Sequence, residues 1–265
     1  MTAGAMTAAE PVTAGAVRRV QAVMGTVVSF DVRLGACGAA RAHVALSRAC
    51  ARLERADAVF SIWKANSPMS LLRRGATTLG EAPLEMAEVL ELCAVARELS
   101  GGFFDPWGVP GGLDPTGLVK GWAADKALAV LNACGIAAAM VNAGGDIATF
   151  GEPTPGATWR IGVRDPWAVD RIACVVDSPG AVATSGCYER GAHVVDPATG
   201  RPGTRCQSAT VTGPELWLAD ALATGLLVAG EEGLGAIEAI QGYEGYVISA
   251  RGSTAATRRF PFAAL

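Results

Sequence analysis

Several kinds of sequence signal are missing or scarce in this 265-residue chain. The seven cysteines are scattered and form no CxxC pair, which argues against a structural zinc site or a disulfide framework. No run of about 18 apolar residues occurs, so no membrane insertion is predicted. The net charge is -3 and there is no long basic run, so no nucleic-acid partner is expected. What remains is typical of an enzyme with reduced thiols.

The first residues lack the signals of export. Residues 1–16 are of low complexity, with neither a basic region nor an apolar core of the kind found in signal peptides. We therefore expect residues 1–16 to be a disordered N-terminal segment and residues 17–265 to form one domain. The expected location is cytoplasmic.

The hydrophobic pattern predicts short strands in antiparallel clusters between helices, which is an α+β class. On the first helix, an apolar stripe includes His43 and predicts a buried histidine there. Strands are predicted at 17–33 (two, hinged near Met24-Gly25-Thr26), 138–141, 159–164, 172–177, 181–184, 192–197, 207–212 and 245–250. Helices are predicted at 38–58, 69–74, 84–99, from Thr116 to about Cys134, 215–229 and 231–241.

Residues 113–126, LDPTGLVKGWAADK, are the most informative stretch. Thr116 and Gly117 would begin a helix, whose unpaired N–H groups and dipole favour an anion. Lys120 adds a positive charge one turn further on, and Gly117 and Gly121 leave space for a ligand or a second backbone. The stretch predicts a phosphate site. The alternative is an ordinary capped surface helix with a solvated lysine.

A second place for chemistry is the helix predicted at 215–229. Asp220 and Thr224 are four residues apart and share one face of an otherwise apolar segment. A carboxylate and a hydroxyl one turn apart are hard oxygen ligands that suit Mg²⁺. The alternative is that Asp220 caps the helix or forms a salt bridge, and that Thr224 bonds back to its own helix.

The chain has only two histidines, and His193, beside a turn, is the better catalytic candidate. Its alternative role is a structural hydrogen bond between strands. The tripeptide 184–186 (Thr-Ser-Gly) could offer hydroxyl or N–H groups to a phosphate, and the Gly-Gly-Asp at 144–146 could face a ligand. No GxSxG, Walker A or GxGxxG motif is present.

Taken in order, these segments are more specific than any one of them. Together they resemble the ApbE family, the FAD:protein FMN transferases, over about 200 residues. The segments that carry the resemblance are Met24-Gly25-Thr26, Phe60-Ser61-Ile62-Trp63 with Asn66-Ser67, Phe104-Asp105, Leu113-Asp114, Gly117-Leu118-Val119-Lys120-Gly121-Trp122-Ala123, Val141-Asn142-Ala143-Gly144-Gly145-Asp146, Ala183-Thr184-Ser185-Gly186, His193-Val194-Val195-Asp196-Pro197 with Thr199-Gly200, and Ala219-Asp220-Ala221-Leu222-Ala223-Thr224.

The resemblance implies a single ApbE-like (T-fold-related) domain, with mixed or antiparallel sheets and helices packed around an FAD cleft. It implies FAD as substrate, Mg²⁺ at its pyrophosphate, and transfer of FMN to a Thr or Ser hydroxyl of a partner flavoprotein. Asp220, Thr224 and the carbonyl of Gly117 are implied as metal ligands, and His193 and Lys120 as catalytic groups. The implied FAD contacts are Met24, Trp63, Asp105, Lys120, Asn142, Gly144, Gly145, Asp146, Thr184, Ser185 and Gly186.

The sequence departs from the family pattern at three places, which together involve four residues. Trp63 replaces a smaller aromatic residue, Pro115-Thr116 replaces a more glycine-like pair, and Gly117 is alanine in some members. Two other functions stay open from the sequence. One is a Mg²⁺-dependent FAD pyrophosphatase that releases FMN and AMP, and the other is an FAD-binding protein without turnover.

Overall fold

A computed structural model describes residues 15–168, 170–187 and 194–264. Within them an eight-stranded sheet has the strand order β1-β2-β3-β4-β7-β10-β11-β12, and every neighbouring pair is antiparallel. β5 pairs with β6 and β8 with β9 in two separate ladders. The strands are β1 (Ala16–Val23), β2 (Thr26–Arg33), β3 (Ala138–Ala143), β4 (Asp146–Phe150), β5 (Arg160–Arg164), β6 (Ile172–Asp177), β7 (Ala181–Gly186), β8 (Val195–Asp196), β9 (Arg201–Pro202), β10 (Ser208–Gly213), β11 (Glu244–Ile248) and β12 (Thr254–Ala256).

Helices cover one face of this sheet. α4 and α5 pack side by side, α1 packs on α4 and β1, and α5 packs on β7 and β10. The other face, around β4, β7 and β11, is covered by the β5–β6 hairpin and Phe260. The helices are α1 (Ala39–Phe60), α2 (Pro68–Arg73), α3 (Leu84–Leu99), α4 (Thr116–Ala133), α5 (Leu216–Ala229) and α6 (Leu234–Glu238), with 3-10 turns at Leu79–Glu81 and Gly230–Gly233. The α+β class predicted from the sequence is confirmed.

Strand direction brings the predicted ligand-facing segments to one end of the sheet. The β1–β2 turn at 24–25, the β3–β4 turn at 144–145 and the last residues of β7 all lie at this end, because successive strands alternate in direction. We call it the site edge. Gly144 donates its N–H to the carbonyl of Val27 at 3.1 Å, which holds the two turns next to each other.

The structure refines one prediction about local structure and contradicts another. The strand predicted at 138–141 continues to Ala143, and the Gly-Gly-Asp segment follows it directly. Gly144 and Gly145 have positive φ and form a hairpin turn, and Asp146 begins β4. His43 is exposed, because the buried face of α1 also includes alanines such as Ala45 and Ala49, which leaves His43 beside that face. The predicted stripe is otherwise buried at Leu46 and Cys50.

All seven cysteines are free. Within the described ranges, no helix has both the length and the apolar character required to cross a bilayer. Residues 1–14 and the strand residues predicted at 192–193, including His193, lie outside the described residues.

Candidate active site

Two carboxylates share one lysine at the site edge. The Lys120 ammonium forms an ion pair with Asp146 Oδ2, and its Nζ lies 3.3 Å from Asp220 Oδ2. Both aspartates are buried, and the lysine side chain is 22% exposed. The backbone N–H of Thr184 donates to Asp146 at 2.9 Å, and that of Gly121 donates to Asp220 at 3.1 Å. Counted over these three described side chains, two carboxylates and one ammonium carry a formal charge of about -1, which favours a cation beside them.

Two hydroxyl groups lie beside these charges. Ser185 Oγ and Thr224 Oγ1 are 3.2 Å apart and hydrogen-bonded, which joins the end of β7 to α5. A Cβ placed on Gly117 would lie 3.6 Å from Thr224 Oγ1 and 3.2 Å from the Phe104 ring. The first turn of α4 therefore lies next to the Ser185–Thr224 hydroxyl pair. Because Gly117 has no side chain, the space between this turn and the hydroxyl groups stays free.

The residues of α4 that face α5 are evenly spaced, and each one faces a particular residue of α5. Along α4, Gly117, Gly121 and Asp125 are four residues apart and therefore lie on one face. Gly117 lies opposite Thr224, the N–H of Gly121 donates to Asp220, and Asp125 accepts from the N–H of Trp217. As α4 is followed from its N-terminus, the matching residues of α5 are met in reverse order.

The two helix backbones touch at Gly121. A Cβ at this position would lie 2.5 Å from the carbonyl oxygen of Leu216, a distance that real side chains do not adopt. The prediction that Gly121 leaves space for a second backbone is thus confirmed, and that backbone belongs to α5. Any larger residue would push α5, with Asp220 and Thr224, away from Lys120.

Asp125 caps α5 from the neighbouring helix. Glu215, the residue that precedes α5, makes no capping hydrogen bond with its own side chain. Asp125 Oδ2 instead accepts from the N–H of Trp217 at 2.8 Å, and the N–H of Leu216 also donates to this carboxylate. N–H groups in the first turn of a helix need such a partner. Burial raises the pKa of Asp125 to about 7, while the two N–H donors act in the opposite direction.

This raised pKa predicts a pH dependence of stability. The folded protein binds a proton on Asp125 more tightly than the unfolded chain does, so the contribution of Asp125 to stability grows as the pH falls through 7. Relative to Asp125→Asn, the wild-type free energy of unfolding should rise by about 2 kcal/mol between pH 8 and pH 5. Urea denaturation at both pH values measures it, and a constant difference between the two proteins would contradict the assignment.

The oxygen atoms near Thr224 and Asp220 could hold a divalent cation. In the described part of the chain no three His, Cys, Asp or Glu side chains are grouped to bind a metal. A site here would therefore use one carboxylate, one hydroxyl and one carbonyl, which suits a hard cation such as Mg²⁺ that keeps several waters. In a regular helix the N–H of Gly121 donates to the carbonyl of Gly117. Because the Gly121 N–H also donates to Asp220, the Gly117 carbonyl shares its helical hydrogen-bond donor with that carboxylate.

Three predicted FAD contacts at the site edge have defined structural partners. Asn142 Oδ1 accepts from the N–H of Gly145 at 2.8 Å and so holds the β3–β4 turn in shape. The Thr184 hydroxyl bonds to Thr210, on the sheet face away from α4, so Thr184 offers only its backbone to the Lys120 cluster. Gly186 is buried at the end of β7, paired with Ser208.

Three further predicted contacts lie outside the Lys120 cluster. Met24, in the β1–β2 turn, has a φ of 54° and is half-buried. Trp63 is 72% exposed in the segment between α1 and α2. Asp105 pairs with Arg97 at 2.8 Å and accepts from the N–H groups of Trp107 and Gly108. Their roles, and that of His193 outside the described residues, stay predictions.

Comparison with known proteins identifies the family. The ApbE family profile matches residues 24–110 and 108–247. A FAD:protein FMN transferase from Vibrio cholerae is 39% identical over 141 residues, which are 49% of this chain and 42% of that protein. A protein of the same name from Rhodobacter capsulatus is 40% identical over 129 residues, 45% of this chain and 24% of its own. The matched segment thus spans less than half of either relative.

Solved structures agree on the fold. The ApbE protein from Thermotoga maritima superposes with a TM-score of 0.79 at 23% identity, over 92% of this chain and 97% of its own. The flavin transferase ApbE from Vibrio cholerae has a TM-score of 0.76 at 24% identity, over 92% and 98% of the two chains. With the profile matching most of its length, this chain belongs to the ApbE family.

Proposed function

We propose that this protein is a Mg²⁺-dependent FAD:protein FMN transferase. The observation that carries the proposal is the Lys120 ammonium between Asp146 and Asp220, next to the Ser185–Thr224 hydroxyl pair and the first turn of α4. Such a site can bind the charged pyrophosphate of a dinucleotide. The names of the curated relatives support the same activity.

The reaction breaks one phosphoanhydride bond and forms one phosphoester bond. The hydroxyl oxygen of an acceptor Thr or Ser attacks the phosphorus on the FMN side of FAD, and AMP leaves with the bridging oxygen. The acceptor keeps FMN as a phosphoester and loses one proton. Because charge builds up on the phosphoryl oxygens, groups that are already positive and fixed in place lower the barrier most.

Different residues of the site contribute to the stabilisation of this charge. Lys120 is one cation for the phosphates. At the N-terminus of α4 the N–H of Thr116 already donates to Asp114, and the N–H of Leu118 donates to the carbonyl of Pro115, so the helix contributes mainly its dipole. Asp220, Thr224 and the carbonyl of Gly117 would hold Mg²⁺. When bound, Mg²⁺ supplies Lewis-acid neutralisation of the pyrophosphate charge. Asp146 keeps Lys120 in position, because Thr184 holds its other oxygen.

The acceptor proton needs a base. His193 is proposed for this role, because an imidazole near neutral pH can take a proton from a weakly acidic alcohol. The residues that follow His193 in the chain, from Val194 onwards, have defined contacts. Gly203 donates its N–H to the carbonyl of Val194, and a Cβ on Gly108 would lie 3.4 Å from Pro197. The segment that follows His193 is therefore packed against the loop that connects α3 to α4.

Mass spectrometry tests the function directly. A candidate flavoprotein incubated with the protein, FAD and Mg²⁺ should gain one FMN group on a Thr or Ser, and AMP should appear in equal amount. Release of AMP with no gain in the mass of the acceptor would instead establish the FAD pyrophosphatase. If neither AMP nor a modified acceptor is formed, only FAD binding remains and the proposal is contradicted.

The two histidines form a natural pair of variants. His193→Ala should reduce transfer by about 10²–10⁴-fold, the usual contribution of a general base, while FAD binding changes little. His43→Ala serves as the control, since His43 is exposed on α1. Transfer rates from single-turnover assays and FAD affinity from fluorescence titration measure both effects. Transfer by His193→Ala at the wild-type rate would show that the proton goes elsewhere.

A further inference from the structure

We propose that Asp125 is a positioning residue that sets the register between α4 and α5, and thereby the metal-binding geometry of the site. This inference rests on the proposed function, which assigns the metal ligands. Asp125 itself lies in the third turn of α4, beyond the residues assigned to FAD or metal. It acts through the N–H of Trp217, three residues before Asp220.

Apart from the contacts that Asp220 makes with Gly121 and Lys120 inside the site, the bond of Asp125 is the directional link between α4 and α5 described above. At Gly121 the two backbones are in contact, so the helices cannot move closer together. A contact of this kind sets a distance but resists sliding only weakly, because glycine has no side chain to interlock. Hydrogen bonds are directional. The bond from the N–H of Trp217 to Asp125 at 2.8 Å therefore resists sliding of α5 along the axis of α4.

Sliding of α5 would displace every facing pair, including the proposed metal ligands at the other end of the same face. Gly117 and Thr224 face each other two turns of α4 away from Asp125, and Asp220 meets Gly121 between them. A small shift of α5 would separate the Thr224 hydroxyl and the Asp220 carboxylate from the Gly117 carbonyl together. Metal sites tolerate little displacement of their ligands, and residues that hold ligands in place commonly change affinity by about 10–100-fold.

The alternative role for Asp125 is electrostatic, because a second carboxylate near Asp220 would attract a cation without any bond to Trp217. Two substitutions separate these roles. Asp125→Asn keeps the length and an acceptor oxygen but removes the charge. Asp125→Glu keeps the charge but moves the acceptor by one methylene, so α5 must shift to keep the bond.

The test measures Mg²⁺ affinity by calorimetry, together with the Mg²⁺ concentration that gives half-maximal FMN transfer. For a positioning residue, Asp125→Asn should stay close to the wild-type value, and Asp125→Glu should weaken Mg²⁺ binding by about tenfold or more. Thr257→Ala is the control. It removes the acceptor of the Gly245 N–H, two strands away from β7, and should lower the denaturation midpoint without changing Mg²⁺ affinity.

Each outcome decides the inference. Weakening by Asp125→Asn that equals that of Asp125→Glu would show a charge effect and overturn it. Unchanged affinity in a folded Asp125→Glu variant would also overturn it, and so would a wild-type protein that binds no Mg²⁺. A wild type that binds Mg²⁺ but transfers no FMN would contradict the proposed function alone, because calorimetry still reports on Asp125.

Discussion

Asp220→Asn is expected to reduce FMN transfer by about a hundredfold at low Mg²⁺ concentration, with partial recovery as Mg²⁺ is raised. Asp220 is the one carboxylate among the proposed ligands, so its replacement removes the only full negative charge that would contact the metal. Asparagine has the same shape and can still accept from the N–H of Gly121, which is 3.1 Å from Asp220 Oδ2 in the wild type. The fold should therefore survive, and the loss should be specific to the metal.

Two variants make this result interpretable. Thr224→Val is nearly isosteric and should weaken the site less than Asp220→Asn, because a neutral hydroxyl is a poorer ligand than a carboxylate. Asp177→Asn removes an exposed carboxylate that pairs with Arg160 on the β5–β6 hairpin, and should leave transfer unchanged. Transfer by Asp220→Asn with the wild-type Mg²⁺ dependence would rule out Asp220 as a ligand.

Lys120→Met should lower the free energy of unfolding by about 2–3 kcal/mol in the presence of EDTA, and should also abolish most transfer activity. The substitution leaves Asp146 and Asp220 buried without their shared ammonium. We expect a loss somewhat below that of a fully buried pair, because the lysine is 22% exposed. Added Mg²⁺ should stabilise this variant more than the wild type, since the cation then replaces a missing charge.

The same helix supplies the control for Lys120. Lys126 pairs with Glu88 on the surface of the protein at 2.6 Å, with both side chains more than 40% exposed. Lys126→Met should therefore cost less than about 1 kcal/mol. The double variant Lys120→Met, Asp146→Asn should regain part of the lost stability. If Lys120→Met and Lys126→Met are equally stable in urea titrations, the buried cluster contributes nothing to folding.

Local patterns were sufficient to predict much of the fold. The turn at 24–25, the helix that begins at Thr116 and the helix with Asp220 and Thr224 on one face all depend on neighbours in the sequence. Turn chemistry and helical periodicity are read over a few residues, so these elements are visible without a structure. β4, β9 and β12 were missed, because each is five residues or shorter and follows a glycine-containing turn closely.

The charge balance of the site could not be predicted in the same way. From the sequence, Asp220 is a carboxylate in an apolar helix that binds a metal, caps the helix or forms a salt bridge with an unidentified partner. The structure gives it the Lys120 ammonium and the Gly121 N–H, from residues 100 and 99 positions earlier in the chain. The role of Asp125 was missed for the same reason. Its spacing from Gly117 and Gly121 shows a shared helix face, but not what lies opposite.

The cap that Asp125 provides for α5 also has a consequence for the order of folding. Because the bond spans 92 residues, α5 cannot gain a capped first turn until a loop of that length has closed. Contacts of such large sequence separation form late and slow the folding rate. We therefore expect α5 to dock after the hairpins and α4 have formed. A partly folded chain would then lack Asp220 and Thr224 at the site edge, and a newly made protein would not acquire affinity for Mg²⁺ before the final step of folding.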